Sequence, residues 1–254
     1  MRRYDEHMTE AASGGRRVAY FGGSFDPPHL GHLAVARAAR QALALDTVLF
    51  APVGAQPLKP GGSTASFPSR AAMTRLAIEG EPGFELSLAD APRPEGAPNY
   101  SIETLAALRA RLHGELPAGC ALYFLMGADS FLGLRRWHRA AEIPFVAPLI
   151  VASRPGQPLD DLKAALPVGL TMEPADAPDG NRSGVEVRSY LLRNQAGAVA
   201  PFYLLPGLDV EISASDIRAQ IRAQMSGSEA TKPGMRKLLP EAVAGYIRAH
   251  RLYS

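Results

Sequence analysis

Residues 22–32 read Gly-Gly-Ser-Phe-Asp-Pro-Pro-His-Leu-Gly-His, and they stand between a short apolar run and an alanine-rich one. The apolar run, residues 18–21, has the composition of a strand, and the run at about 31–43 has that of a helix. In an open parallel sheet, ligands bind where strands end at their carboxyl side. The stretch therefore predicts both the start of an α/β fold and the place of its site.

The alternation of strand-like and helical runs continues outward from this turn along the chain. Further strands are expected at residues 47–51, 84–88, 122–126, 145–152, 169–172 and 202–205. Helices are expected at residues 69–79, with Ser69 as the N-cap, and at 101–112, 159–166, 212–224 and 240–250. The predicted fold class is α/β, a Rossmann-like doubly wound parallel sheet with a small helical C-terminal part. The most apolar run, 122–126, is expected at the centre of the sheet.

The domain organisation follows from the same pattern. Residues 1–15 are polar and are expected to form a disordered N-terminal tail, and residues 16–254 to form one domain. Within it the pattern changes at residues 174–200, where 181–184 and 194–197 are typical of turns. We expect this segment to be an inserted hairpin or flap, and its role stays open.

Composition excludes several classes of protein. The formal net charge of +2 is too small to indicate a general nucleic-acid or membrane partner. Cys120 is the one cysteine, so no intramolecular disulfide can form, and we expect it to be a buried core residue. Neither a membrane-spanning run nor a signal peptide is found, so a cytoplasmic location is expected. The sequence leaves a homo-oligomer open.

The first turn has the residues that a phosphate site needs. Gly22 and Gly23 let the backbone approach a ligand closely. His29 and His32 are three residues apart and share one face at the helix N-terminus, where N–H groups and the helix dipole favour anions. The alternative is that one histidine caps the helix and the other packs. The stretch is neither G-x-G-x-x-G nor a P-loop, which argues against dehydrogenases and P-loop enzymes.

The turn resembles a known family. His29-Leu30-Gly31-His32 is similar to the H-x-G-H signature of nucleotidyltransferases, and residues 22–27 resemble the bacterial nicotinate-mononucleotide adenylyltransferases in particular. The resemblance extends over residues 18–253, with 174–200 the main exception. It implies a single nucleotidyltransferase domain that transfers an adenylyl group from ATP to nicotinate mononucleotide, giving deamido-NAD and pyrophosphate. It also implies Mg²⁺, carried with ATP because no carboxylate cluster for the metal is evident.

The resemblance assigns residues to catalysis and to ATP. The catalytic residues would be His29, His32, Lys59 and Arg218. The ATP-binding residues would be Gly22, Gly23, Ser24, Phe25, Gly127, Asp129, Arg154, Ser213 and Ser215. Two positions depart from the family pattern, since Leu58 stands where histidine is usual and Ala214 where serine is usual. Without the resemblance, Lys59 would be an ordinary solvated lysine and Asp129 a helix N-cap.

A further set would bind the nicotinate mononucleotide. It contains Tyr100, Ser101 and Thr104, in a segment similar to the family's S-Y-T-x-x-T-L, and Trp137 with His138. Backbone N–H groups at the start of that helix would bind the carboxylate, and the family's tryptophan stacks on the pyridine ring. The alternative for Trp137 is an ordinary core or interface residue.

Two rival functions stay open. One is a sister adenylyltransferase acting on nicotinamide mononucleotide or phosphopantetheine. Trp137 and the Tyr100-Ser101 segment argue against the phosphopantetheine enzymes. The other is a non-catalytic nucleotide-binding module, against which the intact His29, His32 and Arg218 argue. The implied reaction needs no protein nucleophile, because a substrate phosphate attacks the α-phosphorus of ATP and catalysis comes from alignment and charge stabilisation.

Overall fold

The structure is a computed structural model that describes residues 15–59, 61–115, 120–153, 156, 158–176, 184–208, 213–225 and 238–254. Most of the expected disordered tail, residues 1–14, lies outside this part of the chain. So do Arg154 and residues 181–183 of one predicted turn.

The described residues form one mostly parallel sheet. Its strands are β1 Arg16–Gly23, β2 Thr47–Pro52, β3 Phe84–Leu86, β4 Cys120–Gly127, β5 Leu149–Ala152, β6 Leu170–Ala175, β7 Arg188–Asn194 and β8 Val199–Leu205. They are ordered β3-β2-β1-β4-β5-β8-β7-β6, so β6 lies at an edge. The pairs β1–β4, β4–β5 and β5–β8 are parallel, and β8–β7 and β7–β6 are antiparallel.

The helices alternate with the strands as far as β6, and the last two helices follow β8. They are α1 Leu30–Ala42, α2 Phe67–Ile78, α3 Ser101–Glu115, α4 Ala128–Leu132, α5 Ile143–Val146, α6 Leu159–Ala164, α7 Ala214–Met225 and α8 Glu241–Ala249. The predicted α/β fold with flanking helices is confirmed. Within the described ranges, no helix combines the length and the apolar character that crossing a bilayer requires.

The described residues divide into two compact units. The first takes in the described parts of 1–21, 36–49 and 100–209. Its core centres on β4, where residues 122–126 are all buried, as the sequence predicts for a central strand. Aromatic rings pack around this strand and around β8: Tyr20 lies 5.5 Å from Phe124, and Phe131 lies 5.4 Å from Phe202, between ring centroids.

The second unit takes in 22–35, 50–99 and the described parts of 210–254. Its core joins α2 to the two C-terminal helices, because the apolar residues of α7 and α8 pack against those of α2. The buried members of this cluster are Ala65, Met73, Ala77, Ile217, Ile221, Leu239, Val243, Ile247 and Tyr253. The small helical C-terminal part is therefore packed into this unit through α2.

Two local predictions are wrong. Residues 145–152 do not form one strand, since Phe145 and Val146 lie in α5 and β5 begins only at Leu149. Pro144 stands in the first turn of α5, where its fixed φ suits a helix start. Ser69 is not an N-cap either: α2 begins at Phe67, and the Ser66 hydroxyl accepts the N–H of Ser69 at 3.3 Å.

Strands account for most described residues of the segment 174–200. They lie at the end of β6, in β7 and at the start of β8. The turn between β7 and β8 is closed by Asn194, whose side chain accepts the N–H of Ala198 at 2.9 Å. Gly197 takes a φ of 82° there, as a glycine in a hairpin turn can. That the segment is an insertion stays a prediction.

The loop after β2, in the second unit, is tightly packed and hydrogen-bonded. The Gly54 N–H donates to the Asp90 carbonyl at 2.7 Å. The Asn99 side chain accepts the Ala55 N–H at 2.9 Å and donates to the carbonyls of Asp90 and Ala91. A Cβ atom on Gly54 would lie 2.5 Å from the Pro92 nitrogen and 2.8 Å from the Asn99 Oδ1. Only glycine fits without moving the backbone.

We expect Gly54→Ala to lower the free energy of unfolding by about 2 kcal/mol, because the methyl group meets backbone that cannot turn away. Urea unfolding would measure the change. Gly61→Ala is the matched control, since a Cβ there meets nothing within 4 Å. Equal midpoints for the two variants would contradict the close packing at Gly54.

Candidate functional site

The turn from β1 to α1 is built around a buried aromatic ring. Phe25 has a φ of 46° and its side chain is 1% exposed. A Cβ on Gly23 would lie 3.3 Å from that ring, so glycine allows the close approach. The ring packs edge-on against His32, with centroids 4.9 Å apart. Phe25 therefore supports His32, and any contact with a nucleotide would go through its backbone.

The two predicted catalytic histidines lie together at the start of α1. Their ring centroids are 3.7 Å apart. The backbone N–H of His29 donates to Nδ1 of His32 at 3.2 Å, so Nδ1 is an acceptor. A neutral imidazole carries its proton on the other nitrogen in that case, which makes Nε2 of His32 a donor. Nδ1 of His29 is buried and has no hydrogen-bond partner in the described structure.

The alternative role for His29 and His32, in which one caps the helix and the other packs, is fulfilled only in part. His32 satisfies one N–H at the helix start, and the Leu30 N–H donates to the Leu238 carbonyl at 2.9 Å. These two N–H groups are therefore engaged, although the sequence predicts free ones there. The imidazole N–H groups thus gain importance as donors to an anion.

Both histidines are neutral at neutral pH. Burial lowers the pKa of His29 to about 4. Burial, and then the charge of His29, holds the pKa of His32 well below its usual value. The pair therefore offers two uncharged N–H donors, which avoids the repulsion of two adjacent cations.

A residue that the site prediction missed holds the turn in place. The Asp26 side chain is 1% exposed, and its Oδ2 accepts the Thr64 N–H at 2.6 Å while its Oδ1 accepts the Ala65 N–H at 3.0 Å. The Tyr253 hydroxyl donates to Oδ1 at 2.8 Å. Arg218 donates through Nη1 to the Asp26 carbonyl at 2.6 Å, and the same nitrogen lies 3.9 Å from Oδ2. Asp26 thereby joins four segments of the second unit.

Arg70 is a second residue that sequence reasoning missed. Its side chain is 2% exposed, and its guanidinium donates to the carbonyls of Ser24, Val53 and Ala65 at 2.7, 2.7 and 3.2 Å. Burial lowers its pKa, and Asp26 and Tyr253 oppose that shift. The available signal was its place on the buried stripe of α2, three residues before Met73.

The start of α7 brings together three predicted residues. The Ser213 hydroxyl accepts the Ser215 N–H at 3.2 Å, so Ser213 caps the helix. The two serine hydroxyls are hydrogen-bonded to each other, and Ser215 is exposed. Arg218, one turn later, has a side chain that is 17% exposed and is anchored on the Asp26 carbonyl.

The loop with Lys59 is hydrogen-bonded to the turn between β1 and α1. The Ser24 hydroxyl donates to Oε1 of Gln56 at 3.1 Å. The Lys59 N–H donates to the Gln56 carbonyl at 3.2 Å, which forms a tight turn. Leu58, which departs from the family pattern, is 50% exposed. Gly22 and Gly23, the last residues of β1, complete the predicted residues of this unit.

The predicted mononucleotide residues lie in the first unit. The rings of Tyr100 and His138 pack at a tilt of 37° with centroids 4.4 Å apart, which brings the start of α3 to the segment after Trp137. Trp137 is partly exposed, and its ring lies 6.1 Å from that of Phe124. Ser101 is the first residue of α3, and Thr104 is buried at 4% exposure.

The predicted adenosine residues of this unit lie at the end of β4. Gly127 is the N-cap of α4, and Asp129 is exposed in its first turn. The alternative role of Asp129 as an N-cap is therefore wrong, because Gly127 holds that position. Arg154 lies outside the described residues.

The described residues contain no group of three or more His, Cys, Asp or Glu side chains that could hold a metal ion. The phosphate-binding candidates are instead hydrogen-bond donors and cations.

Comparison with known proteins agrees with this picture. The family model described as cytidylyltransferase-like matches residues 20–220. A protein of Pelobacter propionicus named "Probable nicotinate-nucleotide adenylyltransferase" is 37% identical over 238 residues, which cover 94% of this chain and 98% of that protein. A protein of the same name from Gloeobacter violaceus is 38% identical over 94% of this chain and 97% of its own length.

A solved structure shares the fold. It is the nicotinic acid mononucleotide adenylyltransferase of Plasmodium falciparum complexed with NaAD, with a TM-score of 0.64 and 14% identity. The match covers 94% of this chain and 97% of that chain.

The lowered histidine pKa values predict a pH dependence of stability. As pH falls, the unfolded chain binds the His29 proton first, because the pKa of His29 drops from 6.5 to about 4 on folding. The corresponding stability is complete above pH 6.5 and is lost as pH falls towards 4. We expect His29→Gln to remove up to roughly 3 kcal/mol of this loss.

Urea unfolding across the same pH range would measure the effect. The control is His113→Gln, because His113 is exposed on α3. Parallel pH curves for wild type and His29→Gln would contradict a buried neutral imidazole.

Proposed function

The chain belongs to the cytidylyltransferase-like family, with the nicotinate-nucleotide adenylyltransferases as its relatives, and we propose that it transfers an adenylyl group from ATP to nicotinate mononucleotide. The products would be deamido-NAD and pyrophosphate. The observation that carries the proposal is the pair of neutral imidazoles at the start of α1, beside a turn that is tied to Arg218.

The reaction needs alignment more than acid–base chemistry. A phosphate oxygen of the mononucleotide forms a bond to the α-phosphorus of ATP, and the bond from that phosphorus to the bridging oxygen of the β-phosphate breaks. The attacking phosphate is already ionised at neutral pH, so no strong base is required. The residues act by binding the charge that moves onto the leaving pyrophosphate.

Residues of the second unit would supply donors for that charge. His32 would donate from Nε2 to a phosphate oxygen, since its Nδ1 is taken by the His29 N–H. Arg218 would add charge-assisted hydrogen bonds, and Lys59 would add a second positive charge. Ser215 is exposed at the start of α7 and would donate its hydroxyl to a phosphate oxygen. The helix N-terminus there favours an anion.

A divalent cation, which we propose to be Mg²⁺, would come bound to ATP. The described part of the chain offers no cluster of ligands for a metal, so phosphate oxygens would be its main partners. Such a cation would neutralise phosphate charge.

The first unit would recognise the pyridine and the adenosine. Trp137 presents a partly exposed aromatic face, and a pyridine ring can stack on such a face. Backbone N–H groups near Ser101 and His138 would bind the carboxylate that distinguishes nicotinate from nicotinamide. Asp129, near Gly127, would accept a hydrogen bond from the ribose or from an adenine amine.

Pyrophosphate release tests the proposal. The protein would be mixed with Mg-ATP and, in parallel, with nicotinate mononucleotide, nicotinamide mononucleotide or phosphopantetheine. We expect rapid release with the nicotinate compound, because the proposed backbone donors would bind its carboxylate. Comparable rates with both mononucleotides would indicate a dual-specificity enzyme, and release only with phosphopantetheine would indicate the sister function. A protein that binds ATP and releases nothing would be a binding module.

His32→Ala should lower kcat by about 100-fold or more, because a donor to the transition-state charge is lost. The KM for the mononucleotide should stay within about threefold, since that ligand is bound by other residues. Initial rates of pyrophosphate release would measure both, with His113→Ala as the control. A near-normal kcat would exclude this role for His32.

A further inference from the structure

We propose that Tyr253, which follows α8, is a positioning residue for the adenylyl transfer proposed above, on which this inference rests. Its hydroxyl occupies the Asp26 carboxylate and thereby keeps Arg218 on the Asp26 carbonyl, where the guanidinium stays available to the phosphates of ATP. Tyr253 touches neither substrate in this role and acts through its two neighbours.

The position of Tyr253 is built into the second unit. Its side chain is 6% exposed and belongs to the apolar cluster of α2, α7 and α8. The chain after α8 is held by its own hydrogen bonds, from the Leu252 N–H to the Ile247 carbonyl at 3.1 Å and from the Ser254 hydroxyl to the Arg251 carbonyl at 2.8 Å. The hydroxyl is thus delivered to Asp26 by a fixed segment.

The donors around the Asp26 carboxylate differ in charge and in distance. Oδ1 accepts from Tyr253 at 2.8 Å and from the Ala65 N–H at 3.0 Å, while Oδ2 accepts from the Thr64 N–H at 2.6 Å. The Arg218 guanidinium lies 3.9 Å from Oδ2, beyond hydrogen-bond distance, and bonds the main-chain carbonyl of Asp26 at 2.6 Å. The carboxylate is satisfied by neutral donors, and the arginine is therefore not drawn onto it.

Loss of the hydroxyl would change that balance. A buried carboxylate that loses a hydrogen-bond donor destabilises the folded state unless another donor replaces the lost one. Arg70 is held in its present place, because its guanidinium donates to three carbonyls. Among the described residues, Arg218 is the cation that lies 3.9 Å from the carboxylate, so it would move onto it. A guanidinium in a buried ion pair has fewer donors left for phosphate.

The tyrosine is suited to this task because it stays protonated. Burial raises the pKa of the Tyr253 hydroxyl, and the charge of Asp26 and the hydrogen bond to it raise the pKa further. The hydroxyl is therefore a donor at every pH at which the enzyme would work.

The test compares Tyr253→Phe with the control Tyr246→Phe, a tyrosine of α8 that packs on the same cluster. ATP affinity would be measured by calorimetry without mononucleotide, and KM and kcat by pyrophosphate release. We expect Tyr253→Phe to weaken ATP binding and lower kcat/KM for ATP by about tenfold, the size of one charge-assisted contact. The KM for nicotinate mononucleotide should change less than about twofold.

Two further variants separate positioning from mere loss of structure. In an Arg218→Gln background, Tyr253→Phe should cost less than about twofold, because the arginine it positions is gone. An unchanged tenfold cost in that background would overturn the proposal, as would equal ATP affinity for Tyr253→Phe and Tyr246→Phe. If the wild type releases no pyrophosphate, the proposed function fails, and the ATP affinities of the same four variants still decide the role of Tyr253.

Discussion

The buried carboxylate of Asp26 is the constraint on which the turn between β1 and α1 depends. A charge with 1% exposure is tolerable only when its oxygens are hydrogen-bonded, and here two backbone N–H groups and a tyrosine hydroxyl do this. All three donors lie far from the turn in the sequence. The turn is thus held by long-range partners, and its shape depends on the folding of the whole second unit.

Arg70 is the positive counterpart of Asp26 in the same unit. Its guanidinium holds the carbonyls that follow β1 and β2, at Ser24 and Val53, so the two strand ends share one anchor. Both buried charges are satisfied largely by backbone groups. The imidazoles and Arg218 are therefore supported by a rigid frame, and donors fixed before the reaction need no reorganisation when charge develops.

The sequence predicts the fold class and the central strand well, because apolar periodicity and the glycine-rich turn are local signals. The histidine pair is found for the same reason. Partners far apart in sequence are not visible in this way, as Asp26 and Tyr253 are separated by 227 residues. Arg70 was missed because an arginine is ordinarily expected at the surface, whereas this one is buried among the apolar residues of α2. The helix at Phe145 was missed because an apolar run of that length suits either element.

The antiparallel end of the sheet has a consequence for association between molecules. β6 is an edge strand, and the row of unpaired backbone groups on such a strand invites another strand to add to it. Pro174 interrupts that row because it lacks an N–H, and Glu173 places a negative charge beside it. This edge is thereby a poor template for sheet extension, which protects the chain from aggregating through it.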